Sequence, residues 1–150
     1  MSTIRLADAG DPAAAFLPHT PPFLLLDRIV AIDGPSGRFV KHVTAADPLI
    51  GSAGALSPML LVEAMAQGAG IVLGRQEPEL RDRGAVLAAI DHCAIAGTAG
   101  VGDALEIAIT VVRRYAGMAR IKGRASVGAR TCATAALTLA FAPGTSTAPE

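Results

Sequence analysis

The spacing of hydrophobic and polar positions changes along this chain, and each change marks an element. Residues Phe23 to Ile32 are apolar and rich in strand formers around Asp27-Arg28, then stop at the turn pair Asp33-Gly34, which predicts a strand. A second strand over Arg38 to Thr44 completes a hairpin, and a loop from Ala45 to Leu56 follows with Pro48, Gly51 and Gly54. Ser57-Pro58 opens a helix, because Ser caps well and the missing proline N–H is not needed in a first turn, and Gly74 suits its end. Past a charged and solvated stretch, Arg75 to Arg83, the run Ala85 to Ile95 is apolar and holds Asp91 and His92. Leu105, Ile107, Ile109 and Val111 alternate with Glu106, Ala108, Thr110 and Val112, the period of a strand. Ala119, Ile121, Gly123, Ala125 and Val127 alternate with Arg120, Lys122, Arg124 and Ser126, so one face of that strand is wet. After the turn Gly128-Ala129, a last strand sets Ala135, Leu137, Leu139 and Phe141 on one side.

The order is strand, strand, helix, then four strands. Short connections among the late strands predict an antiparallel meander, since parallel neighbours need long crossovers. Within the helix, Ala64, Ala66, Gly68, Ala69 and Gly70 give up helix propensity, about 1 kcal/mol for each Gly, in exchange for thinness. Something must approach this helix closely, and a curved sheet does so. The predicted class is therefore α+β, an antiparallel curved sheet wrapped around one central helix. It forms one domain over residues 17–142, with an N-terminal extension over 1–16 and a Pro-rich disordered tail over 143–150.

Hydrophobic residues make up 51% of the 150-residue chain, charged ones 17%, aromatics 3%, and the formal net charge is zero. Without a basic run or stacking aromatics, a nucleic-acid partner is not expected. Asp8, Gly10, Asp11 and Pro12 break any signal-peptide core, and the apolar stretch Met59 to Gly74 is shorter than the roughly 20 residues that span a bilayer. Cys93 and Cys132 lack metal-ligand spacing and read as reduced thiols. A cytoplasmic protein without membrane, metal or cofactor is expected.

Against this background the helix carries Glu63 and, one turn later, Gln67. A carboxylate among Leu, Val and Met is costly unless it is paired, protonated or open to a cavity, which marks Glu63 for chemistry.

Several strings in order carry a resemblance. They are Leu17-Pro-His-Thr-Pro-Pro-Phe-Leu-Leu-Leu-Asp-Arg28, Lys41-His-Val-Thr44 with Asp47-Pro48, and Leu61-Val-Glu-Ala-Met-Ala-Gln67. Ala89-Ile-Asp91, Gly102-Asp103, Arg113-Arg114 and Ile121-Lys-Gly123 follow. From about Leu17 to Phe141 the chain resembles the hotdog-fold 3-hydroxyacyl-acyl-carrier-protein dehydratases of the FabZ type. The resemblance implies an acyl thioester on acyl carrier protein or coenzyme A, held in a tunnel between two subunits, in fatty-acid or polyketide-type metabolism. A loop histidine and a helix glutamate from opposite subunits would then remove water, and the helix N-terminus would polarise the thioester carbonyl.

Glu63 falls on the family's catalytic glutamate and Gln67 on the glutamine after it. The family's Gly-His-Phe-Pro-Gly pattern is replaced by Gly51-Ser-Ala-Gly-Ala-Leu-Ser-Pro-Met59, a loop about three residues shorter and without histidine. Ser52 stands at the histidine position, where a hydroxyl cannot act as an acid–base group at neutral pH, and Pro58 lacks an N–H. Ser52, Ser57, Met59, His19 and His92 are the expected substrate-facing residues. Of these, His19 is assigned to the tunnel wall, and His92 is the best candidate for a relocated base. Arg113, Arg114, Arg120, Lys122 and Arg124 form a basic cluster suited to an acidic carrier protein or a coenzyme phosphate. Three functions stay open: a dehydratase with a degenerate site; a thioesterase using Glu63; or a non-catalytic subunit that binds acyl groups or pairs with a catalytic partner. A homodimer, a higher oligomer or a heterodimer is expected in each case.

Overall fold

The computed structural model describes residues 5–143. Its elements are β1 (Arg28–Asp33), β2 (Ser36–His42), α1 (Pro58–Gln76), β3 (Ala85–Ile95), β4 (Ala104–Tyr115), β5 (Met118–Val127) and β6 (Arg130–Phe141). All pairings are antiparallel in one sheet of order β1-β2-β4-β5-β6-β3. No helix among the described residues is long and apolar enough to cross a membrane.

The sheet curls around α1, and period-two alternation explains which side meets it. Leu105, Ile107 and Ile109 of β4, Ala119, Ile121 and Ala125 of β5, and Leu137 and Leu139 of β6 are buried against Leu61, Val62, Met65, Ala69 and Val72 of α1. The thinness of the helix is used as expected. A Cβ on Gly68 would lie 2.9 Å from the Phe39 ring, and one on Gly123 of β5 would lie 2.7 Å from the Met65 sulfur. The helix and the sheet floor approach each other through missing side chains on both elements.

Three expectations need correction. The late strands are not a four-strand meander: β4, β5 and β6 are, but β3 pairs with β6 at the far edge. Residues 96–103 carry the chain back across the sheet end, held by the Ala96 and Gly97 amides on the Cys132 carbonyl at 2.8 and 3.1 Å. Leu56 N–H bonds to the Ala99 carbonyl at 2.9 Å, which fastens this crossing to the loop before α1.

The first strand begins at Arg28 rather than Phe23, because the Phe23 carbonyl and the Leu25 N–H bond to the Gln67 side chain of the helix, and the Leu24 N–H to the Thr20 carbonyl, instead of to a strand. The stretch from Arg75 is not simply solvated. The helix runs on to Gln76, Arg75 donates to the Ala7 carbonyl at 2.6 Å, and Leu80 in a 3-10 turn over Pro78–Asp82 is buried. Helix α1 starts at Pro58 as anticipated, although the Ser57 side chain makes no capping bond.

Residues 5–16 lie on the domain: Ala7 and Ala13 are buried, and Ile29 N–H bonds to the Asp11 carbonyl at 2.9 Å. The expected tail, beyond Pro143, lies outside the described residues.

Candidate active site

Helix α1 buries most of its circumference, and Leu61, Val62, Ala64, Met65, Ala69 and Ile71 are all in the core. One stripe escapes: Met59 is exposed, and Glu63, Ala66 and Gly70 are partly so. These residues recur at helical spacing, so the carboxylate lies on the one face the sheet leaves uncovered. The Glu63 side chain is 41% exposed and is therefore not buried in its own chain.

An apolar cleft of ≈ 90 Å³ opens beside it. Its walls are Glu63, Ala66, Gln67 and Gly70 of α1, residues 16–19 before β1, and Leu87, Leu139 and Phe141 of β3 and β6. Leu80, Arg81, Gly84 and Ala85 complete the lining.

Gln67 organises the polar end. It is 2% exposed, and its amide oxygen accepts the Leu25 N–H at 2.9 Å. Its NH2 donates to the Phe23 carbonyl at 2.7 Å and to the Glu63 carboxylate at 3.3 Å. Both donor hydrogens and the carbonyl are used, which satisfies a buried amide and ties the segment before β1 to the helix. That segment also carries His19, whose Nε2 lies 3.6 Å from Glu63 Oε1. Its Nδ1 is buried with no hydrogen-bond partner.

Glu63, Gln67 and His19 are thus brought together. Ser52, Ser57, Met59 and His92 are not among the residues lining this cleft. Ser52 lies in an exposed turn, Ser57 and Met59 are exposed at the start of α1, and His92 is exposed on the edge strand β3. The basic cluster is partly committed: Arg114 makes a bidentate pair with Glu77 at 2.6 and 3.0 Å, Arg120 lies 3.5 Å from Asp91, and Arg113 stacks on Tyr115. Among the described residues no group of three His, Cys, Asp or Glu side chains is placed to hold a metal ion.

Phe16, Leu80 and Arg81 also line the cleft, and nothing in the local sequence around them marks them for it. Arg81 stacks over Phe16 at 5.0 Å and donates to the Arg5 carbonyl at 3.0 Å, so long-range packing places it there and no local signal announces it.

Comparison with known proteins agrees with this architecture. The family model for ApeP-like proteins, described as ApeP dehydratase, matches residues 11–148. A FabZ 3-hydroxyacyl-[acyl-carrier-protein] dehydratase of Caldanaerobacter subterraneus subsp. tengcongensis is 34% identical over 131 residues, covering 84% of this chain and 92% of its own. The FabZ of a Ruegeria species is 35% identical over 143 residues, covering 90% and 89%.

Among solved structures, the dehydratase heterocomplex ApeI:P from Xenorhabdus doucetiae superposes with a TM-score of 0.79 at 20% identity, covering 90% of this chain and 93% of that one. A hypothetical thioesterase from Streptococcus pneumoniae, solved with coenzyme A, has the same fold with a TM-score of 0.62 at 13% identity, covering 76% and 84%. By its helix-wrapping sheet, its Glu63 helix and a family match over nearly its whole length, the chain belongs to the ApeP-like dehydratases, FabZ-like proteins of the hotdog fold.

Proposed function

We infer that this chain acts in the dehydration of 3-hydroxyacyl thioesters carried on acyl carrier protein or coenzyme A, with Glu63 as the carboxyl group that protonates the departing hydroxyl. The observation that carries this is Glu63 itself. It is the ionisable side chain on the uncovered stripe of α1, it stands at the mouth of an apolar cleft, and Gln67 fixes its orientation. Dehydration needs an acid at the C3 oxygen and a base at the C2 proton, both held against a bound acyl chain. An apolar cleft next to a carboxyl group suits both demands. The start of α1 adds N–H donors toward the thioester carbonyl; Pro58 has none, so the first on offer is that of Met59.

The chain works as part of a two-chain assembly, in cytoplasmic acyl-chain synthesis of the fatty-acid or polyketide type. Support comes from edge strand β3, where Val86, Ile90 and Ile95 are exposed, and from Met59 on the uncovered stripe of α1. A hetero-assembly is favoured by two observations. The loop 51–57 holds no histidine, and the X. doucetiae relative is a dehydratase heterocomplex.

The experiment is dehydration of 3-hydroxyacyl thioesters of several chain lengths by the chain purified alone and with whatever hotdog chain it carries from its native extract. Water loss that disappears in Glu63→Gln is expected. Turnover unchanged by that substitution, or none in either preparation, contradicts the proposal.

A further inference from the structure

Resting on the reading that the cleft beside Glu63 holds the acyl group, we propose that Phe16, braced by Arg81, determines which acyl chains this protein accepts. Both side chains line the cleft, and both also line a second space between α1 and the segment over residues 5–7. That second space is too small to admit water. The Phe16 ring and the Arg81 side chain are therefore the partition between the acyl cleft and the room behind it.

The place of this pair along α1 suits a stop for the end of an acyl chain. A Cβ on Gly74 would lie 2.7 Å from Arg81 Cγ, so the Arg81 stem rests on the helix at that point. Gly74 lies eleven residues beyond Glu63 on α1, a distance of about 16 Å along the helix axis. The reacting carbons sit at Glu63, so the part of an acyl group that reaches Phe16 is its far end. The same contact explains a glycine that weakens the helix interior: α1 does not end at Gly74 but runs on to Gln76, and the missing side chain makes room for Arg81.

Phe16 is held from several sides. The Arg81 guanidinium carbon lies 5.0 Å from the ring centroid, where a cation is attracted to the ring face. Arg81 also donates to the Arg5 carbonyl at 3.0 Å and the Ala15 carbonyl at 3.4 Å, and Arg75 donates to the Ala7 carbonyl at 2.6 Å. Two arginines thus hang the N-terminal segment on the helix and fix the ring that it carries. A partner chain adds its wall on the uncovered stripe of α1, at Met59 and Glu63, whereas Phe16 and its braces all belong to this chain. Discrimination at the chain end therefore stays with this subunit in the two-chain assembly. Removing the ring joins the two spaces and lengthens the cleft; a larger ring shortens it.

The test uses the assembled protein, with butanoyl- and octanoyl-coenzyme A as binding probes in calorimetry and their 3-hydroxy derivatives as substrates. In Phe16→Ala the octanoyl-to-butanoyl ratio should rise at least ~10-fold in both affinity and kcat/KM, because single methylenes in an apolar pocket already discriminate by that much. In Phe16→Trp the ratio should fall by a similar factor. Arg81→Met, which keeps a stem on Gly74 but loses the cation and its bonds, should move the ratio in the same direction as Phe16→Ala. An unchanged ratio in the Phe16 variants, even with a lowered thermal midpoint, marks a merely structural role and overturns the proposal while leaving Glu63 untouched. If Phe16→Ala folds poorly, Phe16→Trp decides alone. Glu63→Gln should lower turnover of both substrates and leave the affinity ratio as it is in the wild type. A ratio that follows Phe16 while Glu63→Gln stays active supports the partition and overturns only the acid role of Glu63. Binding of neither probe overturns the acyl-site reading and the proposal with it.

Discussion

Gln67 uses its whole amide to hold two parts of the chain together. Glu63 was legible because a charge on an apolar helix contradicts its surroundings. Gln67 was legible only as its neighbour, since the bonds to Phe23 and Leu25 reach back more than forty residues. His19 lines the cleft wall, and no local pattern reports its 3.6 Å approach from a loop to Glu63 on the helix. Replacing Gln67 by Leu strands the Leu25 N–H and the Phe23 carbonyl, which should cost about 1–3 kcal/mol in denaturant unfolding. Loss of positioning should lower turnover by up to about 100-fold.

A second buried polar residue shows different physics. Lys41 points inward from β2 and pairs with Asp47 at 2.7 Å, both side chains nearly buried. Burial alone would raise the Asp47 carboxyl. The Lys41 hydrogen bond, the Leu49 N–H and the Lys41 charge outweigh it and hold its pKa below the ordinary value. A lowered folded pKa stabilises the protein above the unfolded value of about 3.9, and that share is lost as pH falls through the folded one. Lys41→Met leaves an unpaired buried carboxylate and should cost about 3 kcal/mol near neutral pH. The gap to wild type, followed by urea unfolding, should narrow below about pH 4.

At the scale of elements, α1 and most strands were readable because their periods differ and their apolar faces are clean. The position of β3 was not. Its residues follow a simple apolar run, and nothing in such a run says whether the next eight residues fold back or cross the sheet. The crossing is decided by bonds to Cys132 and Leu56, far away in sequence. The helix glycines were recognised as thinning devices, but only contact distances separate their roles. Gly68 faces the Phe39 ring, whereas a Cβ on Gly70 meets nothing within 4 Å. Gly70→Ala should therefore stabilise the chain by up to about 1 kcal/mol through helix propensity. Gly68→Ala should destabilise it by about 1–3 kcal/mol through overpacking. Thermal or denaturant unfolding of the two variants compares them directly, and equal shifts would refute the close approach.

The whole molecule leaves an eleven-residue edge strand with apolar side chains outward, Val86 65% and Ile90 42% exposed. Such an edge calls for a partner. Val86→Lys combined with Ile90→Lys should shift the mass in light scattering from an assembly to a single chain; an unchanged mass would place the interface elsewhere. The family match fixes the fold and the class of chemistry, while the short 51–57 loop concentrates what is particular to this chain on Glu63. The decisive measurement is the rate at which the wild-type protein and its Glu63→Gln variant, each in its assembled form, convert a 3-hydroxyacyl thioester to the enoyl thioester. Conversion by the wild type with a loss of at least ~100-fold in the variant is the expected result. Equal rates would contradict the role assigned to Glu63.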